Sequence, residues 1–164
     1  MGPQWWAGHV MREHNRKDED LGGTAAELAR ELLDWHDLQH VKVEITDRGD
    51  HYDPEARAVR LNRDKFDRKS LTAYATAAHE VAHAIQHATR YRPFVWRVRL
   101  TKAAQVISKA GIVLLLSVPI ARMTGRQPLP PAAVGATLVT MLGTGLAVQI
   151  TAVPAELDAS FARA

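Results

Sequence analysis

The segment around residue 80 carries residue types at a spacing that suits metal chemistry. His79, Glu80 and His83 form the pattern HExxH. On a helix, positions i and i+4 project from one face, so both imidazoles can reach a single ion. Glu80 lies about 100° round such a helix from His79, where it can act as general base on a water that the metal activates. Two imidazoles and one carboxylate suit one Zn²⁺ ion. The alternative is a pair of polar histidines on a helix face.

The third ligand must come from another part of the chain. No acidic residue occurs between positions 81 and 155, so Glu156 and Asp158 are the carboxylates that follow the motif. Pro154 can start a helix, and a helix that begins there would present Glu156 and Ser160 on one face. Glu156 is therefore the expected ligand and Asp158 the fallback. The alternative for Glu156 is a carboxylate that only stabilises a helix N-terminus.

Other polar residues are candidates for supporting a ligand or for touching the substrate. His87 lies about 12 Å along the helix from His79, too far to bind the same ion. It is predicted to support a ligand, to contact substrate, or simply to lie on the helix face. The full set of such candidates is His87, Asp158, Ser160, His51 and Tyr52. A second group that stabilises the oxyanion is not assigned, and His51, Tyr52, His87 and Tyr91 are candidates for it.

Two helices and two strands must position these residues. Thr24 and Glu27 form a capping box at the start of a helix predicted over residues 25–36. Ser70 caps a second helix that carries HExxH, is rich in alanine and runs to about residue 89. Alternating polarity predicts strands over 41–46 and 58–62, paired as a small β-hairpin or sheet with an exposed connection.

The second half of the chain is apolar. Residues 127–155 contain no charged side chain, and a helix over 132–153 would be about 33 Å long, enough for a hydrocarbon core of about 30 Å. A weaker span, residues 103–121, requires Lys109 to extend its amine to the interface. The two segments predict a transmembrane helical hairpin. The alternative is a hydrophobic hairpin buried in a soluble domain.

Charge is divided unevenly along the chain. The first 80 residues carry 12 basic and 16 acidic side chains, whereas residues 81–155 carry eight basic and no acidic ones. The overall charge of +3 and pI near 9.4 therefore do not indicate a nucleic-acid-binding protein. The absence of cysteine excludes disulfides, cysteine-bound metals and thiol catalysis.

Three motifs resemble one known family. They are DHYDP at 50–54, AHEVAHAIQHA at 78–88 and VPAELDAS at 153–160. Their order and spacing resemble the membrane-bound neutral zinc metallopeptidases often called YugP-like. The resemblance runs from about residue 22 to the end. It implies a zincin-like unit interrupted by membrane helices, with zinc on His79, His83 and Glu156 and with Glu80 as general base.

The expected fold is α+β and mainly helical. Residues 1–20 are expected to form a flexible lead-in, in which Trp5 and Trp6 either rest at a membrane interface or pack on the domain. The other expected segments are a zincin-like catalytic unit over 21–100, a transmembrane hairpin over 101–153 and the start of the third-ligand helix over 154–164. Members of the resembled family usually have further membrane helices at both ends, so a short form or a fragment is expected.

The ligand order and the membrane hairpin constrain each other. His79 and His83 precede both apolar segments and Glu156 follows them, so one ion can join them only if the chain crosses the membrane an even number of times. Basic residues concentrate before the first segment: Arg90, Arg92, Arg97, Arg99 and Lys102. The positive-inside rule then predicts a cytoplasmic catalytic side on the plasma or inner membrane. Contact with anionic lipid is the favoured role of this cluster, and a solvated helix face is the alternative.

The leading hypothesis is a membrane-associated zinc endopeptidase that hydrolyses peptide bonds in a peptide or membrane-protein substrate. A strand near residues 59–61 could hold an extended substrate by edge pairing. The alternative is a truncated, inactive membrane scaffold that retains the zinc site and binds a partner. The sequence does not indicate an oligomeric state.

Overall fold

The computed structural model describes residues 22–125 and 129–162. In chain order its elements are α1 (Ala25–Trp35), β1 (Lys42–Thr46), β2 (His51–Asp53), β3 (Ala58–Asn62), α2 (Arg63–Phe66), α3 (Leu71–Ala88), α4 (Arg92–Met123) and α5 (Pro131–Phe161). The predicted lead-in, with Trp5 and Trp6, lies outside the described residues. The described part is mainly helical with one small sheet, as the sequence predicts.

The chain forms two compact units. Of the described residues, the first unit comprises 22–91 and 157–162, and the second comprises 92–125 and 129–156. Helix α5 contributes to both, because its last turns belong to the first unit. The HExxH motif and the residues after Glu156 are therefore parts of one compact unit, although they lie far apart in sequence.

Helix α1 begins at the predicted capping box. The Thr24 hydroxyl accepts a hydrogen bond from the Glu27 N–H at 3.2 Å, and the Glu27 carboxylate accepts one from the Thr24 N–H at 2.8 Å. Ala25, Ala29 and Leu33, spaced four residues apart, are fully buried. Helix α1 packs against α3.

The sheet has the strand order β1-β3-β2. Strand β1 pairs with β3 in parallel, and β2 pairs with β3 in antiparallel orientation. The two predicted strands do pair, but the hairpin between them is wrong, because their connection contains β2. The strand near residues 59–61, predicted as an edge, is also the central strand.

A tight turn explains this topology. The Asp53 carboxylate accepts hydrogen bonds from the N–H groups of Glu55 and Ala56, at 2.9 and 3.0 Å, and Arg57 has a φ of 50°. The turn folds β2 back on β3, so the hairpin forms between these two strands. Strand β1 then takes the other side of β3.

Helix α3 begins where the sequence predicts. The Ser70 hydroxyl accepts a hydrogen bond from the Ala73 N–H at 3.2 Å, and the helix ends at Ala88. The small side chains of Ala73, Ala77 and Ala84 are buried, and α3 packs against α1, β2 and β3. This close packing fixes the helix that carries the HExxH residues.

Helices α4 and α5 have 32 and 31 residues. Both are long and apolar enough to cross a membrane, although the core helix of a soluble protein can have the same length and composition. Unlike a core helix, they bury almost none of their most apolar stretch, 6% in α4 and none in α5. Within the second unit they approach closely at Gly111, where a Cβ atom would lie 2.5 Å from the Met141 sulfur.

The structure differs from the sequence prediction at Pro154. The sequence predicts the start of a new helix there, whereas Pro154 lies inside α5. Proline removes one backbone donor, but long apolar helices accommodate it where neighbouring groups satisfy the released carbonyl. Residues 154–161 are consequently the last turns of a long helix.

Candidate metal centre

Helix α3 presents the two motif histidines together. His79 and His83 are one helical turn apart, and their ring centroids are separated by 4.7 Å. His79 is half-buried and His83 is 6% exposed. The rings therefore lie next to each other, edge to face, on one face of a packed helix, as the i, i+4 spacing predicts.

Glu80 is buried beside these rings, with 8% of its surface exposed. The backbone N–H of Tyr52, in strand β2, donates a hydrogen bond to its carboxylate. Burial raises the pKa of Glu80, against the opposing effect of nearby His83 and His79. A raised pKa makes a carboxylate a better proton acceptor near neutral pH, which suits a general base.

Residues after Glu156 reach both histidines through hydrogen bonds. The Gln86 carbonyl oxygen lies 3.0 Å from His83 Nδ1, and the Gln86 amide nitrogen donates to the Asp158 carboxylate at 2.8 Å. The Ser160 hydroxyl lies 3.3 Å from His79 Nδ1. Asp158 and Ser160 were predicted candidates, and the first unit brings both to the histidine helix.

Glu156 is the last residue of the second unit and is half-buried. Its Oε1 lies 2.6 Å from Nη1 of Arg97 in helix α4. Four residues separate Glu156 from Ser160 in the continuous helix α5, so these two side chains share a helix face. His79, His83 and Glu156 each carry one donor atom, an imidazole nitrogen or a carboxylate oxygen, and this donor chemistry fits zinc.

The remaining candidates have other partners. The Tyr52 hydroxyl lies 2.9 Å from His87 Nδ1, with the rings edge to face. Burial raises the pKa of Tyr52 to about 12, so its phenol stays protonated at neutral pH. His51 Nδ1 lies 2.7 Å from the Gly49 carbonyl oxygen, and the Tyr91 N–H donates to the backbone carbonyl oxygen of Gln86.

Sequence reasoning missed two residues. Gln86 lies within the motif block, but its role depends on a partner 72 residues away in sequence. Arg97 was assigned only to the basic cluster, and its contact with Glu156 spans 59 residues of sequence. No periodicity or spacing signal identifies such pairs in a single sequence.

Comparison with known proteins agrees with this site. A family model described as "Putative neutral zinc metallopeptidase" matches residues 1–164. The chain is also 34% identical over 123 residues to "Putative membrane protease YugP" of Bacillus subtilis (strain 168), covering 71% of this chain and 54% of that protein. The chain thus spans about half the length of this curated relative. No solved structure matches this chain.

The family match confirms the resemblance seen in the motifs and implies zinc as the cofactor. The motif that binds metal in zinc peptidases is present, and its helix is folded and packed as that chemistry requires. The chain belongs to the family of neutral zinc metallopeptidases.

Proposed function

We propose that this chain is a membrane-associated zinc endopeptidase that holds one zinc ion on His79, His83 and Glu156. The observation that carries the proposal is the helix α3, on which two adjacent imidazoles accompany a buried carboxyl group, Glu80. A buried carboxyl destabilises a fold unless it is well paired, so an inactive scaffold would be more stable with an uncharged residue at position 80. The active enzyme is therefore favoured over the scaffold.

One contact supports Glu156 over Asp158 as the third ligand. Each carboxylate has a polar partner, Arg97 for Glu156 and the Gln86 amide for Asp158, so these partners do not distinguish them. Ser160, which shares a helix face with Glu156, lies 3.3 Å from His79 Nδ1. Because i and i+4 are adjacent on a helix surface, a Ser160 contact with His79 favours Glu156 as the donor directed to the same histidine.

The chain's own residues would divide the reaction as follows. When bound, zinc supplies Lewis-acid polarisation of the peptide carbonyl and increases the acidity of water. Glu80 accepts one proton from the attacking water, whose oxygen bonds to the carbonyl carbon. The C–N bond then breaks, and Glu80 donates that proton to the leaving amine. The Tyr52 N–H fixes the orientation of the Glu80 carboxylate. His51, Tyr52, His87 and Tyr91 stay candidates for a further oxyanion donor.

The two stretches of chain that make up the first unit support an even number of membrane crossings. That unit contains residues from both sides of the apolar pair α4 and α5, so the chain must return to the side from which it left. We propose that α4 and α5 cross as a hairpin. The concentration of basic residues before α4 favours a cytoplasmic catalytic side on the plasma or inner membrane. Peptides or membrane proteins accessible there are the proposed substrates.

Metal analysis and proteolysis of the full chain in mild detergent test this proposal. We expect stoichiometric zinc in the wild type and its loss in Glu156→Ala, whereas Asp64→Ala, at an exposed position in α2, retains it. Glu80→Gln should retain zinc but cleave fluorogenic peptides about 10²–10⁴-fold more slowly. Unchanged cleavage by Glu80→Gln would refute the general-base role. Stoichiometric zinc in Glu156→Ala would exclude Glu156 as ligand.

A further inference from the structure

Gln86 is a fully buried polar side chain that the HExxH chemistry does not itself require. It is 0% exposed, and it lies between His83, 3.0 Å away, and Asp158, 2.8 Å away. A buried amide adds little net stability over an apolar side chain of similar shape. The position of Gln86 between a motif histidine and a carboxylate therefore suggests a role beyond packing.

The chemistry of the three groups fixes the direction of both hydrogen bonds. An ionised carboxylate only accepts, so the Gln86 NH₂ group must face Asp158. The Gln86 carbonyl oxygen then faces His83, and a carbonyl also only accepts. His83 must consequently carry its proton on Nδ1, and its lone pair is on Nε2. The reverse amide orientation would place two acceptor oxygens 2.8 Å apart.

We propose that Gln86 and Asp158 are positioning residues that hold His83 in the Nδ1–H tautomer, with Nε2 as its metal-binding atom. The inference rests on the proposed zinc site. Histidines that bind metals commonly donate their other N–H to a carboxylate or carbonyl, which fixes the ring and its tautomer. Here the Gln86 amide links His83 to the Asp158 carboxylate, and Asp158 lies two residues after the proposed ligand Glu156.

A second contact shows that the same segment supports both histidines. The Ser160 hydroxyl lies 3.3 Å from His79 Nδ1, while Asp158 acts on His83 through Gln86. Residues 158 and 160 thus contact the Nδ1 side of the pair, directly or through one amide. One short helical segment would supply a ligand and also orient the two other ligands.

The test compares zinc affinity and histidine tautomer in the full chain in detergent. Zinc affinity is measured by competition with a chelator. The tautomer is read in zinc-free, ¹⁵N-histidine-labelled protein by NMR. We expect wild-type His83 to carry its proton on Nδ1. Gln86→Met should give mixed tautomers and bind zinc about 10–100-fold more weakly. Asp158→Asn, whose amide can donate or accept, should cause a loss of about tenfold.

A double-variant experiment separates positioning from packing. Gln86→Met removes the amide that links Asp158 to His83, so adding Asp158→Asn to it should change neither tautomer nor zinc affinity any further. The same Asp158→Asn change should cost affinity when Gln86 is present. Asp64→Ala controls for loss of a negative charge, and circular dichroism checks folding. Asp158→Asn keeps the test valid if Gln86→Met does not fold.

The outcomes separate this inference from the proposed function. An Nε2–H tautomer in wild-type His83, or an unchanged tautomer and zinc affinity in both Gln86→Met and Asp158→Asn, would overturn the positioning role while leaving the zinc site intact. A wild type that binds no zinc would refute the proposed function. In that case, a tautomer that shifts in Asp158→Asn but does not shift further when Asp158→Asn is added to Gln86→Met would still support the positioning role.

Discussion

Helix α3 of the first unit and helix α5, most of which lies in the second, distribute polar and apolar side chains in opposite ways. Helix α3 buries Glu80, His83 and Gln86. Helix α5 exposes large apolar side chains, with Leu142 74% and Leu146 62% exposed. The first unit buries the polar side chains of its candidate site, as a water-soluble domain does. The second unit presents the surface that a hydrocarbon solvent favours.

The polar groups of α5 fit the same interpretation. Threonine hydroxyls along this helix donate to carbonyl oxygens four residues earlier in the helix, at 2.8–2.9 Å: Thr137, Thr140, Thr144 and Thr151. A hydroxyl that is satisfied within its own helix needs no water. The comparison indicates that the first unit is stabilised by burying apolar side chains, whereas the second unit leaves such side chains exposed on its surface.

The largest expected contrast comes from two leucines. Leu33 is fully buried in the first unit, so Leu33→Ala should lower the free energy of unfolding by about 2–5 kcal/mol. Leu142→Ala removes the same atoms from an exposed site and should cost less than about 0.5 kcal/mol. Denaturant titration in detergent, followed by circular dichroism, measures both. Equal losses would mean that Leu142 is packed against protein.

A charge substitution tests the solvent of α5 directly. Leu142→Arg should disfavour membrane insertion by about 3 kcal/mol and shift the chain toward the soluble fraction after alkaline extraction. Leu71→Arg is the matched control, because Leu71 is 63% exposed in the first unit and should tolerate a charge. If Leu142→Arg inserted as well as the control, the transmembrane assignment of α5 would be contradicted.

The first unit also contains charge pairs that make stability depend on pH. Hydrogen bonds from the Ala56 and Glu55 N–H groups, together with Arg60, lower the pKa of Asp53 despite partial burial. A lowered pKa means that the carboxylate stabilises the fold above its unfolded pKa, near 3.9, and that this stabilisation is lost as pH falls through the folded pKa.

Asp53→Asn should therefore reduce the free energy of unfolding by about 1.5 kcal/mol at pH 7, and the difference from wild type should shrink below about pH 4. Unfolding curves of both proteins at several pH values measure this. A difference that is as large at pH 2 as at pH 7 would show that the carboxylate charge is not responsible.

The smallest expected contrast concerns two threonines. Thr24→Ala removes the cap of α1 and should cost about 1 kcal/mol. Thr140→Ala removes a hydroxyl whose hydrogen bond runs to the Ala136 carbonyl of the same helix, and it should change stability by less than about 0.5 kcal/mol. Thermal unfolding in detergent compares them. A larger loss for Thr140→Ala would indicate a partner outside its own helix.

Local signals predicted much of this structure. The capping box at Thr24, the Ser70 cap and the HExxH spacing each depend on residues within four positions of one another, and each is found as predicted. The alternating pattern also located β1 and β3 within one residue of their observed bounds. These features follow from backbone geometry, so a single sequence contains them.

Other features depend on distant partners and could not be predicted. Strand β2 has only three residues, too few for a periodic pattern, and its presence decides that β1 and β3 are parallel. The sequence predicts a helix start at Pro154, because proline interrupts helices in soluble proteins. In the structure Pro154 lies within α5. The Gln86 contact with Asp158 joins residues 72 positions apart, which only the folded chain brings together.

The first unit is built from two stretches that lie far apart in the sequence, so its parts are synthesised at different times. Asp158 and Ser160 follow His83 by more than 70 residues, a delay of roughly 4–15 s at ribosomal rates of about 5–20 residues per second. During that interval the nascent chain holds the HExxH histidines without the residues that support them. In the proposed topology α4 and α5 are synthesised and inserted first, which would delay the proposed proteolytic activity until the protein has reached its membrane.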